Sequence, residues 1–222
     1  AVIMREGIRR MYEEQEDIVY YLTVENENYA QPVMPKGVKE GILKGMYCYK
    51  DSEHKGAKLR AQLFGSGAIL NEVLKAQDIL WNQFQVAADV WSVTSYKVLR
   101  RDGLSVERWN MLHPTKKPRV SYVRQCLAEA PGVCVAASDY LKAVPDSVAR
   151  WFPKSFYSLG TDGYGRSDSR VALREFFEVD AKFVALATLY SLAQEKQIKP
   201  SVVQKAIKEL DIDPEKLEPV IS

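Results

Sequence analysis

Histidine, cysteine and one-sided charge are all scarce in this 222-residue chain, and each scarcity excludes a class of chemistry. Its two histidines, His54 and His113, exclude an all-histidine metal site. Cys48, Cys126 and Cys134 have no CxxC spacing and no histidine cluster around them, which excludes a zinc site of the usual pattern. An odd number without paired spacing reads as reduced thiols, so the cytoplasm is the expected location. Net charge is +2, from 31 basic and 29 acidic residues, which speaks against a general nucleic-acid binder. Arg100-Arg101 and Lys116-Lys117 read as solvated surface. The best apolar run, Phe183 to Ala193, is about half the length of a membrane span, and no signal peptide precedes the first helix. The chain opens on Ala-Val-Ile in a helical pattern without an initiator Met, which fits an excised fragment.

What is present fits a globular protein. With 46% hydrophobic and 27% charged residues, the chain can bury a sizeable core. Ile3, Ile8, Met11 and Tyr12 predict a short amphipathic helix, and Ile18 to Val24 reads as a buried strand. Glu25 to Lys36 is polar loop with two prolines, and Met46 to Tyr49 is strand-like. The charged stretch Lys50 to Lys58 places the main division there, giving residues 1–50 and 51–222 as two units.

Beyond the division the pattern is regular. Leu59–Phe64, Asp89–Thr94, Gly132–Ala137 and Phe156–Leu159 read as strands. Helical spacing fills the segment after the first of these, then Val106–Met111, Val120–Ala130 and Asp139–Trp151, the last interrupted at Pro145. Ser169–Phe177, Ala181–Gln194 and Val202–Leu210 follow, with Asp168, Asp180 and Asp213 as caps. Alternation of this kind predicts a three-layer α/β/α fold on an open, mostly parallel sheet.

Several motifs invite chemistry. Gly65-Ser66-Gly67 joins a strand to a helix, but Leu70 stands where a dinucleotide fingerprint needs Gly or Ala, and no P-loop lysine follows. A tight turn with close helix-to-sheet packing is the better account. Gly160-Thr161-Asp162-Gly163-Tyr164-Gly165-Arg166-Ser167-Asp168-Ser169-Arg170 is a constrained loop after a strand, where α/β domains place working or docking groups. Asp162 and Asp168 flank Arg166, an arrangement open to acid–base work or to ion pairing and capping. Glu107, Arg108, Trp109 and His113 are compatible with a catalytic cluster or with packing and a hydrogen-bonded structural histidine. Asn26, Glu27, Asn28 and Tyr29 follow a predicted strand directly, at what would be the ligand-binding edge of an open sheet.

Three blocks occur together: Val24-Glu25-Asn26-Glu27-Asn28-Tyr29 closed by Pro32-Val33-Met34-Pro35; Asp102-Gly103 with Glu107-Arg108-Trp109-Asn110-Met111-Leu112-His113-Pro114; and the Gly160–Arg170 loop. In order and spacing they resemble the homodimeric, decarboxylating first component of the bacterial pyruvate dehydrogenase complex, over the whole chain. The resemblance implies a transketolase-like C-terminal domain over residues 51–222, preceded by the tail of a pyrimidine-binding domain. It implies a longer parent that uses thiamine diphosphate and Mg²⁺, forms a homodimer and acetylates the lipoyl groups of an acetyltransferase core. By the same comparison Asn26–Tyr29 lies near domain and subunit junctions.

The family holds its cofactor with a Gly-Asp-Gly segment followed by an Asn pair. Gly160-Thr161-Asp162-Gly163 lacks that adjacency, and no Asn pair follows. No catalytic, cofactor-binding or metal residue is therefore carried over, and the fragment is expected to bind no cofactor and to be inactive alone. Asn26, Glu27, Asn28, Tyr29, Glu107, Arg108, Trp109, His113, Asp162, Arg166 and Asp168 are expected at interfaces or the active-site mouth, with no nucleic-acid or membrane partner. The alternatives are a stand-alone nucleotide- or partner-binding module, and the C-terminal domain of another transketolase-like enzyme.

Overall fold

The computed structural model describes residues 1–26, 28–29 and 33–222. Five strands form one sheet: β1 (Met46–Lys50), β2 (Leu59–Gly65), β3 (Val86–Val93), β4 (Val133–Ala137) and β5 (Phe156–Leu159). Their order is β1-β3-β2-β4-β5. The pairs β3–β2, β2–β4 and β4–β5 are parallel, and β1 closes one edge antiparallel to β3. The helices are α1 (Val2–Ile8), α2 (Lys39–Lys44), α3 (Leu70–Phe84), α4 (Tyr96–Leu112), α5 (Tyr122–Leu127), α6 (Ala143–Asp146), α7 (Arg170–Phe176), α8 (Ala181–Gln194) and α9 (Pro200–Glu209).

Strand alternation produces the three layers. Ala61 and Leu63 of β2, with Val133, Val135 and Ala137 of β4, enter one core beside Val73 and Leu80 of α3 and Val184 and Leu192 of α8. Phe64, Cys134 and Ala136 point the other way, into a second core with Leu99 of α4, Val123 and Leu127 of α5, and Trp151. Both faces of the central strands are covered, which is why they read as nearly continuous apolar runs. Gln62 is the polar exception in β2, buried at 1% exposure. Its amide donates to Asp89 and to the Pro131 carbonyl, and its oxygen accepts from Trp91, so no polar group of it is left unpaired.

Five expectations are corrected. Ile18–Val24 forms no strand: Val19, Tyr21 and Val24 are each about nine-tenths exposed. Among the described residues no sheet edge takes it, and an apolar run without a partner cannot form a ladder. α4 begins at Tyr96, ten residues before the predicted start, because Ser95 caps it by accepting the Val98 N–H; charged residues in its first turns hide the period. Ser169, not Asp168, caps α7 through the Ala172 N–H, while Asp168 accepts the adjacent Ser169 N–H. Asp213 starts a turn and no helix. Asp180 does cap α8, accepting the Phe183 N–H. Met46–Lys50, grouped by the sequence division with the upstream unit, pairs with β3 in the main sheet.

Candidate functional site

Parallel strands that leave β2 in opposite directions open a crevice beyond their carboxyl ends. Here β2 lies between β3 and β4, so the crevice forms where the chain leaves β2, β4 and β5. A cavity of about 270 Å³ occupies it, with Ala68, Ile69, Leu173, Phe177 and Val179 as its apolar wall. Arg166, Arg170 and Arg174 supply positive charge, and Glu25 and Asp139 supply the acids.

Gly67 shapes one side. Its φ of +53° is left-handed, and a Cβ there would stand 3.7 Å from the Glu25 carboxylate and 3.9 Å from that of Asp139. The two carboxyls face each other across Gly67. Burial, then this Glu25 contact, pushes the Asp139 carboxyl up to about 6, with Arg174 opposing.

The segment after the π-helical turn Arg9–Glu13 that continues α1 delivers Glu25 to this place. Tyr20 packs on Gly7 and accepts from Arg10, and Thr23 shares a 2.8 Å hydrogen bond with Tyr140. Arg170 then pairs with Glu25 at 3.6 Å and donates to the Asn26 side chain. Arg174 donates to the Tyr29 hydroxyl at 2.8 Å and lies over its ring. Arg174 is itself fixed by Glu72 of α3 at 3.3 Å. Glu72 is 6% exposed and also accepts from Lys75 and from the Ala181 N–H at the start of α8. Sequence reading missed Glu72 and Arg174 and had Arg170 only as the end of the Gly160–Arg170 loop; the one available signal for Glu72 was a lone acid inside the apolar pattern of α3.

Among the expected site residues, Asn26, Tyr29 and Arg166 meet at the crevice; Asn28 is exposed, and Glu27 lies outside the described residues. Arg166 stacks over Phe176 at 4.3 Å. Asp162 accepts the Lys142 N–H at 2.9 Å, so it braces the loop after β4. Asp162 and Asp168 each bond backbone, and neither forms a salt bridge with Arg166 among the described residues.

Glu107, Arg108, Trp109 and His113 belong to α4 and its end, outside the crevice lining. Glu107 accepts from Trp151 Nε1 at 2.9 Å and pairs with Arg150 at 3.0 Å. His113 stacks on Trp109 at 4.4 Å, with its Nδ1 2.9 Å from the Trp109 carbonyl. Glu107, Trp109 and His113 therefore brace the end of α4, while Arg108 lies on its exposed side. Burial pushes all three thiols up, Cys134 to about 12, so none is a ready nucleophile.

A Mg²⁺–diphosphate needs several converging oxygen ligands. Among the described residues no group of three His, Cys, Asp or Glu side chains converges, and the Asp162 carboxylate already holds a backbone N–H. The described residues do not fit that cofactor.

An open, mostly parallel α/β sheet with a crevice at its switch point defines a three-layer α/β/α fold class. Residues 45–180 match the transketolase-like TK C-terminal domain, and the chain belongs to that family. Residues 1–32 match the pyruvate dehydrogenase E1 component middle domain. The chain is 54% identical over 221 residues to the pyruvate dehydrogenase E1 component of Pseudomonas aeruginosa, covering 99% of this chain and 25% of that protein. For the E1 component of Escherichia coli K12 the values are 49% over 221 residues, 99% and 24%. The chain thus spans about a quarter of the length of these relatives. A transketolase from Leishmania mexicana aligns at a TM-score of 0.49 and 15% identity, over 70% of this chain and 19% of its own. Among the described residues no helix is long and apolar enough to cross a membrane.

Proposed function

We propose that this chain is the C-terminal part of a pyruvate dehydrogenase E1 component and serves it as a scaffold and junction domain. The parent decarboxylates pyruvate on thiamine diphosphate with Mg²⁺ and reductively acetylates lipoyl groups of an acetyltransferase core, as a cytoplasmic homodimer. Identity near 50% across the whole chain supports the reading. One structural observation carries it furthest: Glu25, Asn26 and Tyr29, which lie within the stretch that matches the middle domain, are clasped by Arg170 and Arg174 over the crevice. A clasp of this kind fixes the angle at which the upstream domain meets this one.

On this reading residues 1 to about 44 end the preceding domain, and β1 belongs with the C-terminal sheet. The Gly160–Arg170 loop and Asn26–Tyr29 order the junction, while Glu107, Trp109 and His113 brace a second surface on which Arg108 is exposed. The exposed strip Ile18–Val24 pairs in the parent with a strand of the upstream domain, which removes its unpaired edge.

Arg166→Ala in the full-length protein tests the junction role. Losing a charged contact at a partly shielded interface is worth about 1–3 kcal/mol. Dimer dissociation or lipoyl acetylation should suffer while thiamine diphosphate affinity stays nearly constant. A collapse of cofactor affinity alone would place the loop in the cofactor site instead.

A further inference from the structure

Eight basic residues lie between Lys97 and Arg124, against only two acids, Asp102 and Glu107. That is a net +6 in a chain whose total is +2, so the remainder is net acidic at −4. Neither acid neutralises the basic set. Asp102 accepts the Tyr122 N–H at 2.6 Å, and Glu107 is held by Trp151 and Arg150. Among the described residues none of the eight basic side chains forms a salt bridge; the ion pairs lie elsewhere.

The placement is as one-sided as the charge. Lys97, Arg100, Arg101 and Arg108 fall three, four or seven residues apart on α4, opposite the buried Tyr96, Leu99 and Gly103. The same stripe carries Leu104 at 37% exposure, Met111 at 71% and Leu112 at 52%. Val120, 47% exposed, continues it beyond the helix between Arg119 and Arg124.

We propose that this stripe is a docking surface for an acidic segment of another protein chain, one that carries apolar side chains beside its carboxylates. Arginine and methionine are enriched in protein interfaces, and the guanidinium fork matches a carboxylate in two-point geometry. A second copy docking through the same stripe would set +6 against +6, so charge excludes that pairing. Nucleic acid would leave Met111 and Leu112 without a counterpart. The nearby Trp109 ring is already engaged by His113 at 4.4 Å and Arg119 at 4.1 Å, so it offers no platform for a base. A membrane-surface helix needs its broad apolar face free, whereas that face of α4 is packed into the core. The inference depends on this surface alone and stands apart from the proposed enzyme activity.

The test uses the full-length protein and a fluorescein-labelled 20-residue peptide repeating Glu-Glu-Leu, followed by anisotropy. Binding should weaken about tenfold or more between low and moderately high salt, and again in the Arg100→Glu/Arg101→Glu/Arg108→Glu variant. Met111→Ser/Leu112→Ser should weaken it several-fold, and a Glu-only peptide should bind less well than the mixed one. Absence of binding overturns the proposal, as does indifference to the Met111 and Leu112 changes. Tighter binding of a single-stranded oligonucleotide or of phosphatidylserine vesicles overturns it in favour of those partners. If the charge-reversed protein loses its native oligomeric state or melts markedly lower, the stripe is an internal contact of the parent and the proposal also falls.

Discussion

Gly103→Ala should destabilise this chain although alanine is the better helix former. Within α4 the exchange favours the helix by about 1 kcal/mol. The added Cβ, however, would stand 2.3 Å from Trp151 Cε2, 2.4 Å from Cδ2 and 2.6 Å from Cζ2. Carbon contacts settle near 3.5–4 Å, so the indole must retreat by roughly 1 Å. It has no room to do so, being 5% exposed in the second core and tied through Nε1 to Glu107 at 2.9 Å. Overpacking costs about 1–3 kcal/mol, and loss of a hydrogen bond to a charged acceptor about 1.5–3 kcal/mol. After the helix gain, the net loss is about 2–4 kcal/mol. With a urea slope of about 2 kcal/mol/M, the midpoint falls by about 1–2 M, read by circular dichroism. In a Trp151→Leu background the same exchange should cost little or recover the helix gain. A Gly103→Ala chain as stable as its parent would refute the steric account.

Glu72→Gln should lower stability by about 2–3 kcal/mol, because a buried carboxylate that ties Arg174 and the α8 start to α3 loses its charge; urea midpoints check it, and an unchanged midpoint contradicts it. Asp139 carries a pH dependence. Its folded value, about 6, lies above the ordinary 3.8, so its contribution is full below about pH 4 and lost as pH rises through about 6. Asp139→Asn should therefore match the parent near pH 4 and exceed it above pH 6. The shift bounds the gain at about 3 kcal/mol, and solvent at this exposed residue reduces that to about 1 kcal/mol. A difference that does not grow across this window contradicts the assignment. Amides of Ile18–Val24 in the isolated chain should exchange far faster than those of Leu59–Phe64, and equal protection would show that the segment has found a partner.

The sheet was legible in the sequence because its strands are buried on both faces and its helices are long. Phe156–Leu159 and Ala181–Gln194 emerge with the bounds that periodicity gave them. Ile18–Val24 misled because β-branched composition reports suitability for a sheet and not the presence of a neighbouring strand. The α4 start was hidden because its exposed stripe is basic in the first turns, which breaks the apolar count.

At the crevice, Asn26 and Tyr29 were singled out as following a strand that does not form, and Arg166 by its place in the loop after β5; the arginines that hold the first two sit on α7, whose pattern gives no hint of direction. Glu72 is far in sequence from Arg174 and Ala181, and pairing across that separation is set by how α3 packs on α8. Asp162 and Asp168 looked like partners of Arg166 by proximity in sequence; backbone N–H groups claim them instead.

The central claim, that this domain serves a pyruvate-decarboxylating enzyme without supplying its catalytic groups, meets its most direct test in a pair of assays. The full-length protein and the 222-residue chain are each given pyruvate, thiamine diphosphate, Mg²⁺ and a lipoylated acceptor, and reductive acetylation is followed by mass spectrometry. The account predicts acetylated acceptor with the full-length protein and none with the chain alone. Acetylation by the isolated chain, or a full-length protein inert toward pyruvate but active on sugar phosphates, would contradict it.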